Sequence, residues 1–377
     1  MTSTIHHINL NNKADLLQAK EIAHRLQKMF YGQDADVRTA GREKPHQESE
    51  MAFTDINTNR QLVHGHESMD IWQLRHIQLE VVNFCNYRCP LCRTHLKDGI
   101  RRRKIGLDQV RSIIHPIAAE VEEYTLYGTR GEPFLHEQLE DIVSYLKSIS
   151  AARVCISTNG SLVTEHRAIR LLEAGLDQII FAIDGITPET YGIYRIGGQF
   201  NQVIENLKRF CVIKAKGGFQ TRIVFQFIPM AGNEHEISKL ADFGYALGVD
   251  VVRLKFSNSV NGNDVFRTEC ISYRPPAVHS KQFECPSGLE KLYVDPNGDC
   301  YPCCYAEGYR SLLVGNALEQ NIKDIWNADE MWELRRSFAE QKGFGAFCLK
   351  TCRQRAKNRK KILRRSPSKI NQLNSEL

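Results

Sequence analysis

Long apolar runs are missing from this 377-residue chain: none exceeds about half a dozen residues, against the roughly 18 that a membrane-spanning helix requires. Residues Met1 to Leu10 also lack the basic and then strongly apolar segments of a secretory signal. A cytoplasmic location is therefore expected, with the twelve cysteines read as reduced thiols or metal ligands. Acidic residues nearly vanish after residue 348, where ten Lys or Arg face a single Glu; the remainder holds 40 basic and 43 acidic residues. The net charge of +6 is thus the property of a tail. No aromatic residue interleaves the basic ones of that tail, so it reads as a solvated extension and not as a nucleic-acid-binding surface. Internal repeats are absent as well. What remains, 42% apolar and 25% charged residues, is a globular composition of enzyme size.

The chain divides into four parts. Ala14, Leu17, Ile22, Ala23, Leu26, Met29 and Phe30 recur at helical steps, and residues 32–70 are polar, so residues 1–70 read as a helix followed by a linker. From 71 to 256 six β-rich runs (76–82, 123–126, 153–157, 178–183, 222–227 and 250–255) alternate with helical stretches at 107–119, 137–147, 165–173, 201–215 and 236–246. That alternation predicts an α/β fold, a parallel sheet wrapped by crossover helices; six units without a seventh predict an open partial (βα)6 barrel. Ligands of such arrays gather at the carboxyl ends of the strands. Residues 257–352 form a small cysteine-rich part: a linker-like stretch, a hairpin at 291–303 turning at Pro296-Asn297-Gly298, and two short helices at 322–326 and 330–340. The basic tail, 353–377, closes the chain.

Just beyond the first run lies Cys85-Asn86-Tyr87-Arg88-Cys89-Pro90-Leu91-Cys92, a C-x3-C-x2-C motif. Three thiolates from one loop can hold three irons of a four-iron cluster and leave the fourth open. A zinc site more often uses paired C-x2-4-C units with a fourth protein ligand nearby. The motif and its position resemble the radical S-adenosylmethionine (radical SAM) superfamily, and the resemblance extends over residues 73–352. It implies that Cys85, Cys89 and Cys92 carry a 4Fe-4S cluster whose open iron binds SAM, and that cleavage of SAM yields a 5′-deoxyadenosyl radical that abstracts hydrogen from carbon. It also implies SAM-binding roles for residues at later strand ends: Glu132 in Thr129-Arg130-Gly131-Glu132-Pro133, Ser157 and Asn159 in Ser157-Thr158-Asn159-Gly160, Asp184 in Ile183-Asp184-Gly185, and Arg195. Two positions depart from the family pattern: Arg130 stands where a glycine is usual, and Ala182 where a serine is.

The second cysteine group, Cys285, Cys300, Cys303, Cys304, Cys348 and Cys352, with the hairpin and the segments Gly315-Asn316 and Asp324-Ile325-Trp326-Asn327, resembles the SPASM or twitch extension of that superfamily. It implies one auxiliary 4Fe-4S cluster held by Cys285, Cys303, Cys348 and Cys352. Which of Cys300, Cys303 and Cys304 ligates stays open, and a zinc ribbon of Cys300, Cys303, Cys348 and Cys352 is the rival reading.

The expected function is hydrogen abstraction from a polar small molecule of sugar or aminocyclitol type, with epimerisation or dehydrogenation as the outcome and a flavodoxin- or ferredoxin-type protein as electron donor. Cys270, after the last run, is the candidate thiol for returning hydrogen in an epimerisation. A ribosomally made peptide is the alternative substrate; the N-terminal 70 residues are short and polar for a peptide-recognition winged helix, which favours the small molecule. RNA modification is the third reading, suggested by the tail alone.

Overall fold

A computed structural model describes residues 73–90, 92–96, 101–255, 289–307 and 309–339. The N-terminal helix and linker, the basic tail, Cys270, Cys285, Cys348 and Cys352 lie outside the described residues.

The six β-rich runs are six parallel strands: β1 (His76–Leu79), β2 (Glu123–Thr125), β3 (Arg153–Thr158), β4 (Gln178–Ala182), β5 (Arg222–Phe227) and β6 (Val251–Leu254). They pair in chain order, each with the next, into one open arc. Side chains alternate across a strand, so each strand splits its residues between two faces. On β3, Val154 and Ile156 join the large core beneath the helices, as do Ile179 and Phe181 on β4, Ile223 and Phe225 on β5, and Val252 and Leu254 on β6. The opposite, concave face holds a small apolar patch of Cys155, Ile180 and Val224, with Tyr127 and Val251 packed against it. Apart from Ala182, the strand residues around that patch are mostly polar or charged.

Nine α-helices occur among the described residues: α1 (Arg93–Leu96), α2 (Leu107–Ile114), α3 (Leu139–Ile149), α4 (Glu165–Glu173), α5 (Pro188–Tyr194), α6 (Phe200–Gly217), α7 (Ile237–Ala246), α8 (Ile322–Asn327) and α9 (Asp329–Ala339). The predicted helix at 107–119 ends sooner, at Ile114, and tightens into a 3-10 turn over His115–Ile117, because Pro116 lacks the N–H an α-turn needs. Helix α5 was not anticipated, although Thr187 and Thr190 form a capping box around Pro188. None of the described helices is long and apolar enough to cross a membrane.

The cysteine-rich part continues the same sheet. Strand β7 (Lys291–Val294) lies parallel beside β1, with His76 opposite Lys291 and Leu79 opposite Val294. Strands β8 (Asp299–Tyr301) and β9 (Gly315–Asn316) add antiparallel beyond it, giving the order β6-β5-β4-β3-β2-β1-β7-β8-β9. The β7–β8 turn is held by Asp295, whose carboxylate accepts the N–H groups of Asn297 (2.8 Å) and Asp299 (3.1 Å). Gly298 takes φ +84°, and a Cβ there would lie 2.6 Å from Leu318, so both conformation and space demand glycine.

Candidate active site

The loop after β1 carries Cys85, Cys89 and Cys92, and neighbouring strand ends brace it. Phe84 O accepts the N–H of Glu132, from the loop after β2 (3.0 Å). Asn86 donates to Ser161 Oγ (3.0 Å) and accepts from Asn159 Nδ2 (2.9 Å), both residues lying after β3. Arg88 N donates to Ile196 O (2.9 Å), and the Tyr87 and Tyr191 hydroxyls meet at 3.1 Å, tying the loop to the segment after β4. Gly198 lets these rings approach: a Cβ there would stand 2.6 Å from the Tyr191 hydroxyl.

The three cysteines are free thiols. Burial, then the Glu132 charge, pushes the Cys85 thiol up to about 12, and burial also raises Cys89. Cys85 and Cys89 each sense the charge of Cys92, so the three sulfurs share one electrostatic neighbourhood. Among the described residues no group of three His, Cys, Asp or Glu side chains is arranged around a single metal ion. Thiols held this high in pKa ionise only when a cationic centre replaces their protons, as iron does.

Glu132 is buried and takes three donors: Thr158 Oγ1 (2.6 Å) and Phe134 N (3.1 Å) on one oxygen, Asn159 N (2.7 Å) on the other. Burial raises its pKa, against the pull of those hydrogen bonds. Asn159 accepts from Ser161 N (3.0 Å) and Oγ (2.7 Å) while donating to Asn86 and, at 3.7 Å, to Cys85 Sγ. Asp184, fully buried, accepts Ile228 N (2.8 Å) and pairs with Arg195 (2.7 Å). Arg195 also donates to Cys89 Sγ at 3.9 Å. Four of the five expected SAM-binding residues, Glu132, Asn159, Asp184 and Arg195, thus brace the cysteine loop and the strand ends behind it. Ser157 differs: it alternates with Thr158 onto the concave face and is half-buried.

The residue at the family's glycine position has a partner that sequence reasoning missed. Arg130 forms an ion pair with Glu307 (3.0 Å), both side chains almost wholly buried at 5% and 6% exposure. Thr129 Oγ1 donates to the other Glu307 oxygen (2.8 Å). Beneath them Glu80 accepts Arg130 N (2.8 Å) and Gly131 N (3.3 Å), and Tyr293 of β7 donates its hydroxyl to Glu80 (2.7 Å). Arg93 donates to the carbonyls of Cys304 (3.2 Å), Tyr305 (3.4 Å) and Glu307 (3.4 Å). The loop after β2 and the Cys303–Cys304 loop are therefore fastened through buried charge. The available signal was Glu80, an acidic residue between Leu79 and Val81-Val82.

Cys303 is buried among Tyr293, Tyr301 and Ala306. Cys300, with no exposure, belongs instead to the helix-packed core, its thiol near Gly298 O at 3.5 Å. The two face opposite sides of the hairpin, which disfavours the zinc-ribbon ligand set.

The radical SAM superfamily profile matches residues 79–244, and the SPASM iron-sulfur cluster-binding domain matches residues 285–354. The chain is a radical SAM superfamily enzyme with a SPASM domain. Its cofactors are 4Fe-4S clusters and SAM. The AdoMet-dependent heme synthase of Methanosarcina barkeri is 23% identical over 73% of this chain and 88% of that protein. A tungsten-containing aldehyde ferredoxin oxidoreductase cofactor-modifying protein of Pyrococcus furiosus is 27% identical over 68% of this chain and 82% of its own length. Among solved structures, Streptococcus suis SuiB bound to S-adenosylmethionine superposes with a TM-score of 0.59 at 15% identity, covering 76% of this chain and 72% of that one. The anSMEcpe structure with bound AdoMet gives 0.54 at 16% identity, covering 80% and 100%. At these identities the structures establish the radical SAM fold and not a substrate.

Proposed function

We propose that this radical SAM enzyme abstracts a hydrogen atom from a C–H bond of a polar small molecule bound against the concave face, giving epimerisation or dehydrogenation. The observation that carries the reading is the convergence of three strand ends on one cysteine loop: those after β2, β3 and β4 all bond to residues 84–89. Cys85, Cys89 and Cys92 would hold the SAM-binding cluster, and Cys303 with Cys285, Cys348 and Cys352 the auxiliary one, within a partial barrel of residues 71–256 and an auxiliary domain of 257–352. When bound, these groups supply a 5′-deoxyadenosyl radical and an electron acceptor.

The chain's own residues do the rest. Asn159 and Arg195 hold Cys85 and Cys89 by hydrogen bonds to sulfur, the outer contacts that set a cluster's position and potential. Glu132 keeps the strand ends in register beneath them. Ser157, on the concave face, is the residue of the expected set free to meet SAM or substrate. A flavodoxin- or ferredoxin-type protein would deliver the electron.

The test is anaerobic incubation of reconstituted enzyme with SAM, reductant and candidate small molecules, in deuterated water, followed by mass spectrometry. Epimerisation through a thiol places solvent deuterium on the product carbon, and Cys270→Ala should stall it with 5′-deoxyadenosine accumulating. Dehydrogenation gives an unlabelled product lighter by two hydrogens. Absence of 5′-deoxyadenosine from the wild-type enzyme sinks the proposal.

A further inference from the structure

Strand β6 places two cations on the concave face. Val252 and Leu254 turn toward the helices, so Arg253, and Lys255 directly after the strand, turn the other way. Arg253 lies opposite Gln226 of β5 in the sheet register. Its Nε and Nη2 are buried and have no hydrogen-bond partner among the described residues. Neither Arg253 nor Lys255 forms an ion pair with a described carboxylate. The acids nearest in effect are already engaged: Asp184 with Arg195 (2.7 Å), and Glu123 with Arg153 (3.7 Å).

Other groups locate the pair. The charge of Arg253 acts on Tyr127 and Cys155, two members of the concave patch. Lys255 is open to solvent, yet the surrounding protein withdraws enough water to lower its pKa, and Arg253 lowers it further. Lys255 also acts electrostatically on Cys304, in the hairpin loop, and senses Asp184 and Arg195 beside the cluster loop. The two cations thus stand at the carboxyl end of the arc, with Lys255 in the electrostatic neighbourhood of Cys304.

Buried guanidinium nitrogens with empty donors, as Arg253 Nε and Nη2 are, are costly unless something pairs with them. The guanidinium's planar fork fits an oxyanion, and an ammonium two residues on adds a second charge. We propose that Arg253 and Lys255 form an oxyanion subsite for the carboxylate or phosphate of an anionic substrate. The inference rests on the concave face being the substrate chamber, and it sets aside the cationic aminocyclitols among the expected substrates.

The test uses anaerobically reconstituted enzyme, with inorganic phosphate, acetate and SAM as separate probes in titration calorimetry and thermal unfolding. Phosphate or acetate should bind the wild-type enzyme and raise its melting temperature, and the tighter probe names the anion. Arg253→Met should weaken that binding at least ~10-fold, as loss of a charge-assisted pair does, with Arg253→Lys partly restoring it. Without anion, Arg253→Met should melt no lower than wild type, since it removes a partly buried charge with two unpartnered donors; this shows that the variant folds. Equal anion binding in wild type and Arg253→Met, or none in either, overturns the proposal. An equal loss of SAM affinity with phosphate and acetate unaffected also overturns it, assigning the pair to the SAM carboxylate. Formation of 5′-deoxyadenosine by the wild-type enzyme is read separately, so failure of the radical chemistry and failure of the subsite are distinct results.

Discussion

Glu307→Gln probes the fastening between the loop after β2 and the Cys303–Cys304 loop. The Gln keeps the shape and can still accept from Thr129, but it leaves the Arg130 guanidinium, at 5% side-chain exposure, without a counter-charge. Breaking one side of a buried pair costs about 3–5 kcal/mol, against about 0–1 for an exposed pair. For a protein of this size each kcal/mol moves the melting temperature by ~1–2 °C, so the variant should melt on the order of 5 °C lower. Arg130→Met should cost a similar amount by stranding Glu307. The double variant Arg130→Met/Glu307→Gln should recover much of the loss, because both charges are gone. Thermal unfolding of the four anaerobically reconstituted proteins at one scan rate measures the cycle. The loss should appear first in the iron retained by the auxiliary domain, since the carbonyls held by Arg93 share that loop. Single variants within about 1 kcal/mol of wild type, with additive effects, would refute the buried-pair argument.

Replacing Cys85, Cys89 and Cys92 by alanine should abolish 5′-deoxyadenosine formation and remove about four irons per chain, leaving the auxiliary cluster's absorption; persistent SAM cleavage would defeat the assignment. Glu132→Gln should destabilise by about 2–3 kcal/mol, because its amide would face the Asn159 N–H donor; urea unfolding reads this, and a neutral result would count against the three-donor arrangement. Gly131→Ala should not fold to an active protein, since a Cβ there would lie 1.5 Å from the Val82 carbonyl oxygen; circular dichroism and SAM cleavage check it. Burial pushes Glu80 up to about 7 from 4.5, with Tyr293 and the Arg130 and Gly131 N–H groups pulling the other way. A raised carboxyl stabilises the fold in its neutral form, so that contribution is whole below about 4.5 and is lost as pH rises through about 7. Glu80→Gln should flatten this loss, on the order of 3 kcal/mol across that window, and an unchanged pH profile would contradict it.

Local chemistry made much of this protein legible from its sequence. The six strands of the arc and their helices follow from alternation and helical periodicity, which are properties of a dozen neighbouring residues. The hairpin follows from Asn297-Gly298, and the C-x3-C-x2-C spacing by itself points to the cluster loop. Helix α5 and the early end of α2 were also written locally, in Thr187-Pro188 and Pro116. Distant pairing was not legible. That β7 docks beside β1 depends on matching His76 with Lys291 across most of the chain, and no local signal carries that register. The same long-range closure brings Glu307 to Arg130 and Tyr293 to Glu80, turning a departure from the family pattern into a buried ion pair. The strand-end residues Glu132, Asn159, Asp184 and Arg195 also brace the cysteine loop, because a side chain's partners depend on which loops the sheet carries alongside it. The sequence by itself singled out the cysteines able to hold a cluster; only the tertiary structure decided which residues brace their loop, which face the concave side of the arc, and where Arg253 and Lys255 stand without an ion-pair partner among the described residues, because each of these depends on which distant strands lie side by side.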